Sequence, residues 1–261
     1  MTVAMLKLEA RGVIRLKGPE ARSFLQGIVT NDVMKADAET AVYAALLTPQ
    51  GKFLFDMMIV SDGDDLLLDV EAARKPDLMR RLMMYKLRAD VEIIDEPEMA
   101  VWVSFEEPDT AGVMFLDPRN AALGWRLISA EKPAAPELSV HDYETKRLTL
   151  GVPDGSRDMS PEKYFWLETG AEQQNGVSFT KGCYVGQELT ARMKHRTNLK
   201  KMLVSVQIEG GAPEVGTMIE TAEGKKAGEV RSSCGNHALA YFRLEYRDAD
   251  LQCAGQKVIL G

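Results

Sequence analysis

The chain has 261 residues, of which 45% are hydrophobic and 27% charged, and these proportions are ordinary for a globular protein. Its formal charge of -7 argues against general nucleic-acid binding, because such proteins usually have a net basic surface. No apolar run approaches the roughly 20 residues of a membrane helix, and the N-terminal residues lack the apolar core of a signal peptide. We therefore expect a cytoplasmic protein that binds neither nucleic acid nor membranes.

The first part of the sequence alternates strand patterns with helix patterns. Residues 12–16 and 41–60 are typical of strands, the second range folding back on itself as a hairpin. One helix is predicted to begin with Pro19 at its first position, and another is predicted over 75–87. This interleaving predicts an α+β front portion over residues 1–98.

The middle and the last parts of the chain differ from each other. In the middle portion, residues 99–199, further strand patterns are followed by a proline-containing stretch at 131–139 that is typical of a linker. A helix is predicted over 141–152, ended by glycine and proline. The last portion, residues 200–261, has strand patterns separated by glycine turns, which predicts a small β-barrel or sandwich.

The chain has three cysteines, Cys183, Cys234 and Cys253, at wide spacings. No CxxC pair is present, so a zinc ribbon or a thioredoxin-type pair is not expected, and neither is a disulfide framework. If one of these cysteines binds a metal, the other ligands must come from distant parts of the chain, a small molecule or a partner protein.

The most informative stretch is KGCYVGQE, residues 181–188. Lys181 and the bases that follow favour a thiolate at Cys183, the form that attacks electrophiles and ligates iron. The alternative is a buried cysteine in an ordinary turn, since free cysteine is among the most buried residue types. Lys181 itself either lowers the pKa of the thiol or binds a carboxylate. The alternative is a solvated lysine at the surface.

The residues around this motif form a basic segment, 180–201, inside an acidic protein. It has six lysines and arginines and a single acid, Glu188. Such a segment would raise the local concentration of an anionic ligand. A helix starting near Gly186 would instead pair Glu188 with Arg192 on one face. His195 is either a second iron ligand, a proton carrier or simply exposed.

Two charged residues outside the motif are candidates for ligand binding. Asp56 interrupts an apolar strand, where a carboxylate is costly to bury without a partner. The alternative is an edge-strand aspartate that faces water. Arg147 lies at the end of the predicted helix over 141–152, where an exposed position is the alternative.

Residues 176–196 resemble the signature of the YgfZ-type branch of the glycine-cleavage T-protein superfamily, the folate-binding proteins linked to assembly and repair of iron–sulfur clusters. The motif K-G-C-[FY]-x-G-Q-E is matched at all seven specified positions by 181–188. Other stretches follow in the family's order. They are FLQGIVTNDV, LLTPQGKFLFDMMIV, LDPRNAALGWRL and RLTLGVPDG, and the resemblance extends to about residue 205.

The resemblance implies an α+β fold of three parts, with a ferredoxin-like middle and a C-terminal β-barrel, around a central folate site. It implies that tetrahydrofolate is bound and that Cys183, with Lys181, is reactive or contributes one ligand to a transient iron–sulfur cluster. The implied partners are an A-type iron–sulfur carrier protein or client iron–sulfur enzymes. The implied folate contacts are Asp56, Arg147, Tyr184, Glu188 and Arg192, and the basic segment is a place for the anionic glutamate tail.

Two other functions stay open at this point. A folate-dependent one-carbon transferase of the aminomethyltransferase type would use Asp56 and Arg147, although the T-protein branch lacks the cysteine of the KGCY motif. A plain interaction module, in which Cys183 is structural, is the other alternative. Turnover with tetrahydrofolate as acceptor would support the transferase. Intact cluster-enzyme activity in cells that carry Cys183→Ala would support the interaction module.

Overall fold

The computed structural model describes residues 3–196, 199–211 and 213–261. Within these ranges the strands alternate with short helices up to residue 196, and only strands and one short 3-10 turn follow. The strands are β1 Leu6–Lys7, β2 Arg11–Lys17, β3 Val42–Leu47, β4 Phe53–Asp62, β5 Asp65–Glu71, β6 Glu92–Glu96, β7 Ala100–Ser104, β8 Val113–Leu116, β9 Trp125–Ser129, β10 Lys201–Ile208, β11 Met218–Thr221, β12 Lys226–Cys234, β13 His237–Arg243, β14 Leu251–Cys253 and β15 Gln256–Leu260. The helices are α1 Ala21–Gln26, α2 Lys75–Lys86, α3 Val140–Thr149, α4 Gly155–Asp158 and α5 Gln187–Arg196.

The front portion is built on an antiparallel five-stranded sheet with the order β3-β4-β5-β2-β6. Every residue of β4 from Phe53 to Ser61 is buried. Since successive side chains point to opposite sides of a sheet, both faces of this strand are covered. Met57 and Ile59 face the core under α1 and α2, whereas Met58 and Val60 face the core shared with the middle portion and the barrel. The same alternation directs Asp56 to this second face.

The helices of the front portion lie where the apolar spacing predicts them, with one difference at a start. Leu78 and Leu82 of α2 are buried against the sheet. Helix α1 begins at Ala21 instead of Pro19. Glu20 is held outside the helix because its carboxylate accepts a hydrogen bond from the backbone N–H of Asp90, at 2.6 Å.

A second antiparallel sheet, with the order β1-β7-β9-β8, forms the middle portion. Its edge strand β1 comes from the N-terminal residues, so the two portions share the start of the chain. The stretch 131–139 is a loop hydrogen-bonded to the N-terminal residues and not the predicted linker. The backbone N–H of Met5 donates to the carbonyl oxygen of Pro136 at 2.8 Å, and that of Leu138 donates back to Met5 at 2.9 Å.

The last portion is a closed six-stranded barrel with the order β10-β13-β12-β11-β14-β15. Strand β10 closes it by pairing with both β13 and β15. The predicted β-barrel is therefore confirmed. Leu203 and Leu239 extend from the barrel into the core that the two sheets share, so the three portions meet along one apolar interface. Within the described ranges, no helix is both long enough and apolar enough to cross a membrane.

Candidate functional site

The KGCYVGQE stretch forms a loop that leads into α5 and passes close to the turn between β3 and β4. Gly186 has φ +83°, and a Cβ placed on it would lie 2.6 Å from the carbonyl oxygen of Thr48. Only glycine allows this backbone path without strain. The result is a loop held against the front sheet with the side chain of Cys183 exposed to solvent. The alternative of a buried Cys183 is wrong.

Lys181 fastens the same loop to the end of α1. Its Nζ donates to the carbonyl oxygen of Gln26, the last residue of the helix, at 2.5 Å and to that of Val29 at 2.6 Å. It also lies 5.2 Å from the centre of the Tyr184 ring. Burial lowers the pKa of Lys181 to about 8. The solvated alternative is therefore wrong, and activation of Cys183 by this ammonium stays a prediction.

Tyr184 fills the space beneath the loop. The residue is buried, and burial raises the pKa of its hydroxyl to about 12. The hydroxyl lies near Thr190, whose own hydroxyl donates to the carbonyl of Gly186 at 3.0 Å. Among the described residues, the Tyr184 hydroxyl has no partner with hydrogen-bond geometry. Its predicted contact with folate stays a prediction.

Two side chains of the basic segment are paired with carboxylates in the folded protein. Arg192 donates to Glu188 at 3.0 Å across one turn of α5, which confirms the helix-pair alternative for these two exposed residues. Lys194 pairs with Glu172. His195 is exposed, with its ring 6.4 Å from that of Phe179. The side chain of Arg196, which the basic count included, lies outside the described residues.

Asp56 lies on an internal strand, between β3 and β5, and is only 2% exposed. The alternative of an edge-strand aspartate facing water is therefore wrong. Among the described residues its hydrogen-bond donor is the Tyr43 hydroxyl, at 3.2 Å. Burial raises the pKa of Asp56, and Arg11 and Arg119 oppose that shift only in part. A buried carboxylate with one donor has room for further N–H groups.

The sequence reasoning missed a chain of buried ion pairs whose two end arginines, Arg11 and Arg119, act on this carboxylate. Asp69 accepts from Arg11 at 2.6 Å and from Arg126 at 2.5 Å. Asp117 accepts from Arg126 at 2.9 Å and from Arg119 at 2.8 Å. Burial opposes ionisation, but the two arginines hold the pKa of Asp117 well below its ordinary value. We call these five residues the charge chain; it has one more cation than anion, beside Asp56.

A cavity of about 350 Å³ opens between the middle portion and the barrel, next to the charge chain. Arg119 and Gln174 line it, together with residues 202–205 of the barrel. The side-chain oxygen of Gln174 is buried without a hydrogen-bond partner among the described residues. Arg119 lies 5.7 Å from the Tyr43 ring, and the Tyr43 hydroxyl reaches Asp56. The cavity therefore approaches Asp56 through two intervening side chains.

Arg147 is buried rather than exposed, so the alternative for this residue is wrong. Its guanidinium donates to Glu144 at 3.1 and 2.9 Å, to Asp158 at 2.7 Å, to the Val152 carbonyl at 2.7 Å and to the Ser232 hydroxyl at 3.3 Å. These contacts use all five donors of the group. Arg147 thus ties α3 to α4 and to the barrel. A direct folate contact by Arg147 stays a prediction.

The other two cysteines differ from Cys183 in burial. Cys253 is buried inside the barrel, as expected for a cysteine used in packing, and Cys234 is half-buried. Within the part of the chain that the structure describes, no three or more histidine, cysteine, aspartate or glutamate side chains are grouped so that they could hold a metal ion.

Both ends of the chain match the models of known protein families. Residues 1–106 match the model of the GCVT N-terminal domain, and residues 200–260 match the model of the CAF17 C-terminal beta-barrel domain. Over the whole chain the fold is similar to the glycine cleavage system aminomethyltransferase T from Bartonella henselae. The TM-score is 0.74 at 13% identity, covering 99% of this chain and 84% of that one. This likeness confirms the predicted T-protein-like fold.

Sequence relatives identify the branch. The mitochondrial iron–sulfur cluster assembly factor IBA57 of Mus musculus is 32% identical over 92% of this chain and 77% of its own length. The Homo sapiens protein of the same name is 32% identical over 91% and 76%. The IBA57 homolog of Pyricularia oryzae is 30% identical over 98% and 75%. The chain therefore belongs to the IBA57/YgfZ-type family of iron–sulfur cluster assembly factors.

Proposed function

We propose that this protein binds tetrahydrofolate and assembles or repairs iron–sulfur clusters in client enzymes, with Cys183 as the group that contacts the cluster. The observation that supports it most is the contrast among the cysteines. The cysteine of the KGCYVGQE motif is exposed on a loop held by Lys181 and Gly186, whereas Cys253 is buried. An exposed thiol on a fixed loop is accessible to a partner protein.

The cluster is a cargo shared between proteins in this proposal. Iron–sulfur clusters are held by several thiolates. Because the described residues offer no group of three or more ligands, Cys183 would supply one ligand and the rest would come from an A-type carrier protein or from the client enzyme. Lys181 then acts as a positioning residue, since its two bonds to the end of α1 fix the loop. A cytoplasmic location remains part of the proposal.

Tetrahydrofolate would bind at the cavity beside the charge chain. A pterin ring has adjacent amino and ring N–H donors, which a carboxylate can accept with two hydrogen bonds. Asp56, which lies behind the Tyr43 and Arg119 side chains, is the proposed acceptor because it is buried and has one donor among the described residues, the Tyr43 hydroxyl. The Arg119 guanidinium lines the approach, as does the side-chain oxygen of Gln174, which has no hydrogen-bond partner within the described ranges. When bound, tetrahydrofolate would supply a carrier for one-carbon units.

Complementation tests the proposal. In a strain that lacks the chromosomal gene, we would compare wild type, Cys183→Ser and Asp56→Asn by the activity of a cluster-dependent methylthiotransferase under oxidative stress. Thr180→Ala is the matched control, since it alters an exposed side chain on the same loop. We expect Cys183→Ser to lose most of the rescue and Thr180→Ala to keep it. Each variant must accumulate as folded protein.

The opposite result would favour a different function. If Cys183→Ser rescues fully and only Asp56→Asn fails, the thiol is not required and cluster handling by Cys183 is wrong. The T-protein-like fold would then support the folate-dependent one-carbon transferase, and aminomethyl transfer to tetrahydrofolate would be measured with purified protein. Full rescue by both variants would favour the interaction module.

A further inference from the structure

A second thiol of the molecule lies beside an imidazole, outside the site described above. Sγ of Cys234 is 3.3 Å from Nδ1 of His141 and 3.6 Å from Oγ1 of Thr145. The carbonyl oxygen of His141 is 3.7 Å from the same sulfur. Cys234 is half-buried and packs in part against the core that the two sheets share, whereas His141 is exposed.

The fold builds this pair from two elements. His141 and Thr145 are one helical turn apart on α3, so they share a face. Cys234 is the last residue of β12, immediately before the hairpin turn, and a Cβ on Gly235 would lie 3.8 Å from Cε1 of His141. The imidazole therefore lies over the turn. The neighbouring contact on the same helix face, between Thr149 Oγ1 and His237 Nδ1 at 3.3 Å, contains no thiol.

We propose that Cys234 is a second nucleophilic cysteine of this protein, with His141 as its general base, and that hydroperoxides modify it. A nucleophile within hydrogen-bond reach of a base is the arrangement that activates thiols in enzymes. Here Nδ1 of His141 accepts the thiol proton, and the Thr145 hydroxyl donates to the resulting thiolate.

The reaction with hydrogen peroxide balances with these groups alone. The thiolate sulfur attacks one peroxide oxygen, an S–O bond forms and the O–O bond breaks. The sulfur is oxidised to sulfenic acid, and the peroxide is reduced. The departing hydroxide takes the proton held by the His141 imidazolium and leaves as water. The imidazole returns to its starting form.

The competing explanation is that Cys234 only fills space between α3 and the barrel. That explanation applies to Cys253, which is buried in the barrel core. It does not account for the two polar side chains that converge on the Cys234 sulfur. A packing role predicts that the reactivity of Cys234 is insensitive to His141.

The test is made in the Cys183→Ser background, where Cys234 is the accessible thiol because Cys253 is buried. The folded protein is treated with hydrogen peroxide at pH 7, the sulfenic acid is trapped with dimedone, and the Cys234 peptide is quantified by mass spectrometry. We expect His141→Gln to lower the rate constant at least fivefold and Thr145→Val to lower it less. The matched control Thr149→Val, on the same helix face, leaves it unchanged.

Two outcomes would overturn the proposal. One is the absence of labelling at Cys234 in the folded protein when the unfolded protein labels normally. The other is an equal rate in the His141→Gln variant, with circular dichroism and melting temperature unchanged. Because Cys183 is absent from every variant, neither outcome depends on whether the cluster function is correct.

Discussion

Burial shifts two charged side chains of the site toward their neutral forms. It raises the pKa of Asp56 and lowers the pKa of Lys181 to about 8. Lys181 is still an ammonium at pH 7, because its pKa remains above that value. It can therefore keep both hydrogen bonds to the end of α1. Asp56 differs, since only the Tyr43 hydroxyl donates to it among the described residues.

Asp56→Asn is expected to make the protein more stable at pH 7 and to weaken its binding of tetrahydrofolate. A carboxyl group whose pKa is raised by folding destabilises the folded state above its folded pKa, and this effect vanishes below its unfolded pKa. The gain in melting temperature should therefore shrink as the pH falls toward the ordinary value of 3.8. Loss of one charged acceptor should reduce folate affinity about tenfold or more.

Scanning calorimetry and titration calorimetry measure these two effects separately. Asp64→Asn is the matched control, because Asp64 is exposed in the turn that follows the same strand. The Asp64→Asn variant should leave both the melting temperature and the affinity for tetrahydrofolate unchanged. A lower melting temperature for Asp56→Asn at pH 7 would mean that the charge chain stabilises ionised Asp56 more than burial opposes it. Unchanged folate affinity would place the pterin elsewhere.

At the scale of elements, the position of α5 depends on glycine contacts with the β3–β4 turn. Gly186→Ala would place a Cβ 2.6 Å from the Thr48 carbonyl oxygen, at a positive φ. We expect a loss of about 3 kcal/mol or more in the free energy of unfolding, since strain and a backbone clash add together. Denaturant unfolding measures the loss.

Gly182→Ala is the matched control for this substitution. Gly182 also has a positive φ, of +100°, but a Cβ there would meet no atom of the described part of the chain within 4 Å. The Gly182→Ala variant should therefore lose only the contribution of backbone strain to the free energy of unfolding, about 1–3 kcal/mol. Equal losses in the two variants would contradict the proposed contact between the loop and the hairpin turn.

Helices and strands were predictable where the spacing of apolar residues along one segment specifies them. Strand β4 and helix α2 follow from their apolar patterns, because each buries at least one face locally. The start of α1 and the role of the loop 131–139 were not predictable. Glu20 is bound to Asp90, and the loop is bound to Met5, so both depend on contacts distant in sequence.

For the whole molecule, the charge chain is the polar connection between the front sheet and the middle sheet. Arg126 of β9 bridges Asp69 of β5 and Asp117, and all three are buried. Arg126→Met should destabilise the protein by about 3–5 kcal/mol, since it leaves two buried carboxylates short of a partner. Exposed Arg80 on α2, replaced by Met, is the control and should have little effect.

Urea unfolding of Arg126→Met, followed by circular dichroism, checks this expectation. Because the Arg126 guanidinium helps to hold the pKa of Asp117 well below its ordinary value, the difference in stability between Arg126→Met and wild type should shrink as the pH falls and Asp117 is protonated. Equal stability of the Arg126→Met and Arg80→Met variants would contradict a structural role for the charge chain.

By itself the sequence determined the family motif, the strand-rich last portion, and Cys183 and Asp56 as candidate residues, and the resemblance carried by the motif implied the T-protein-like fold. These follow from local patterns: an eight-residue motif, the alternation of apolar residues, and a carboxylate inside an apolar strand. Only the tertiary structure decided the partners of Lys181 and Arg147, the charge chain, and the Cys234–His141 pair. Each of these joins side chains from distant segments, and a one-dimensional pattern does not specify which distant segments come into contact.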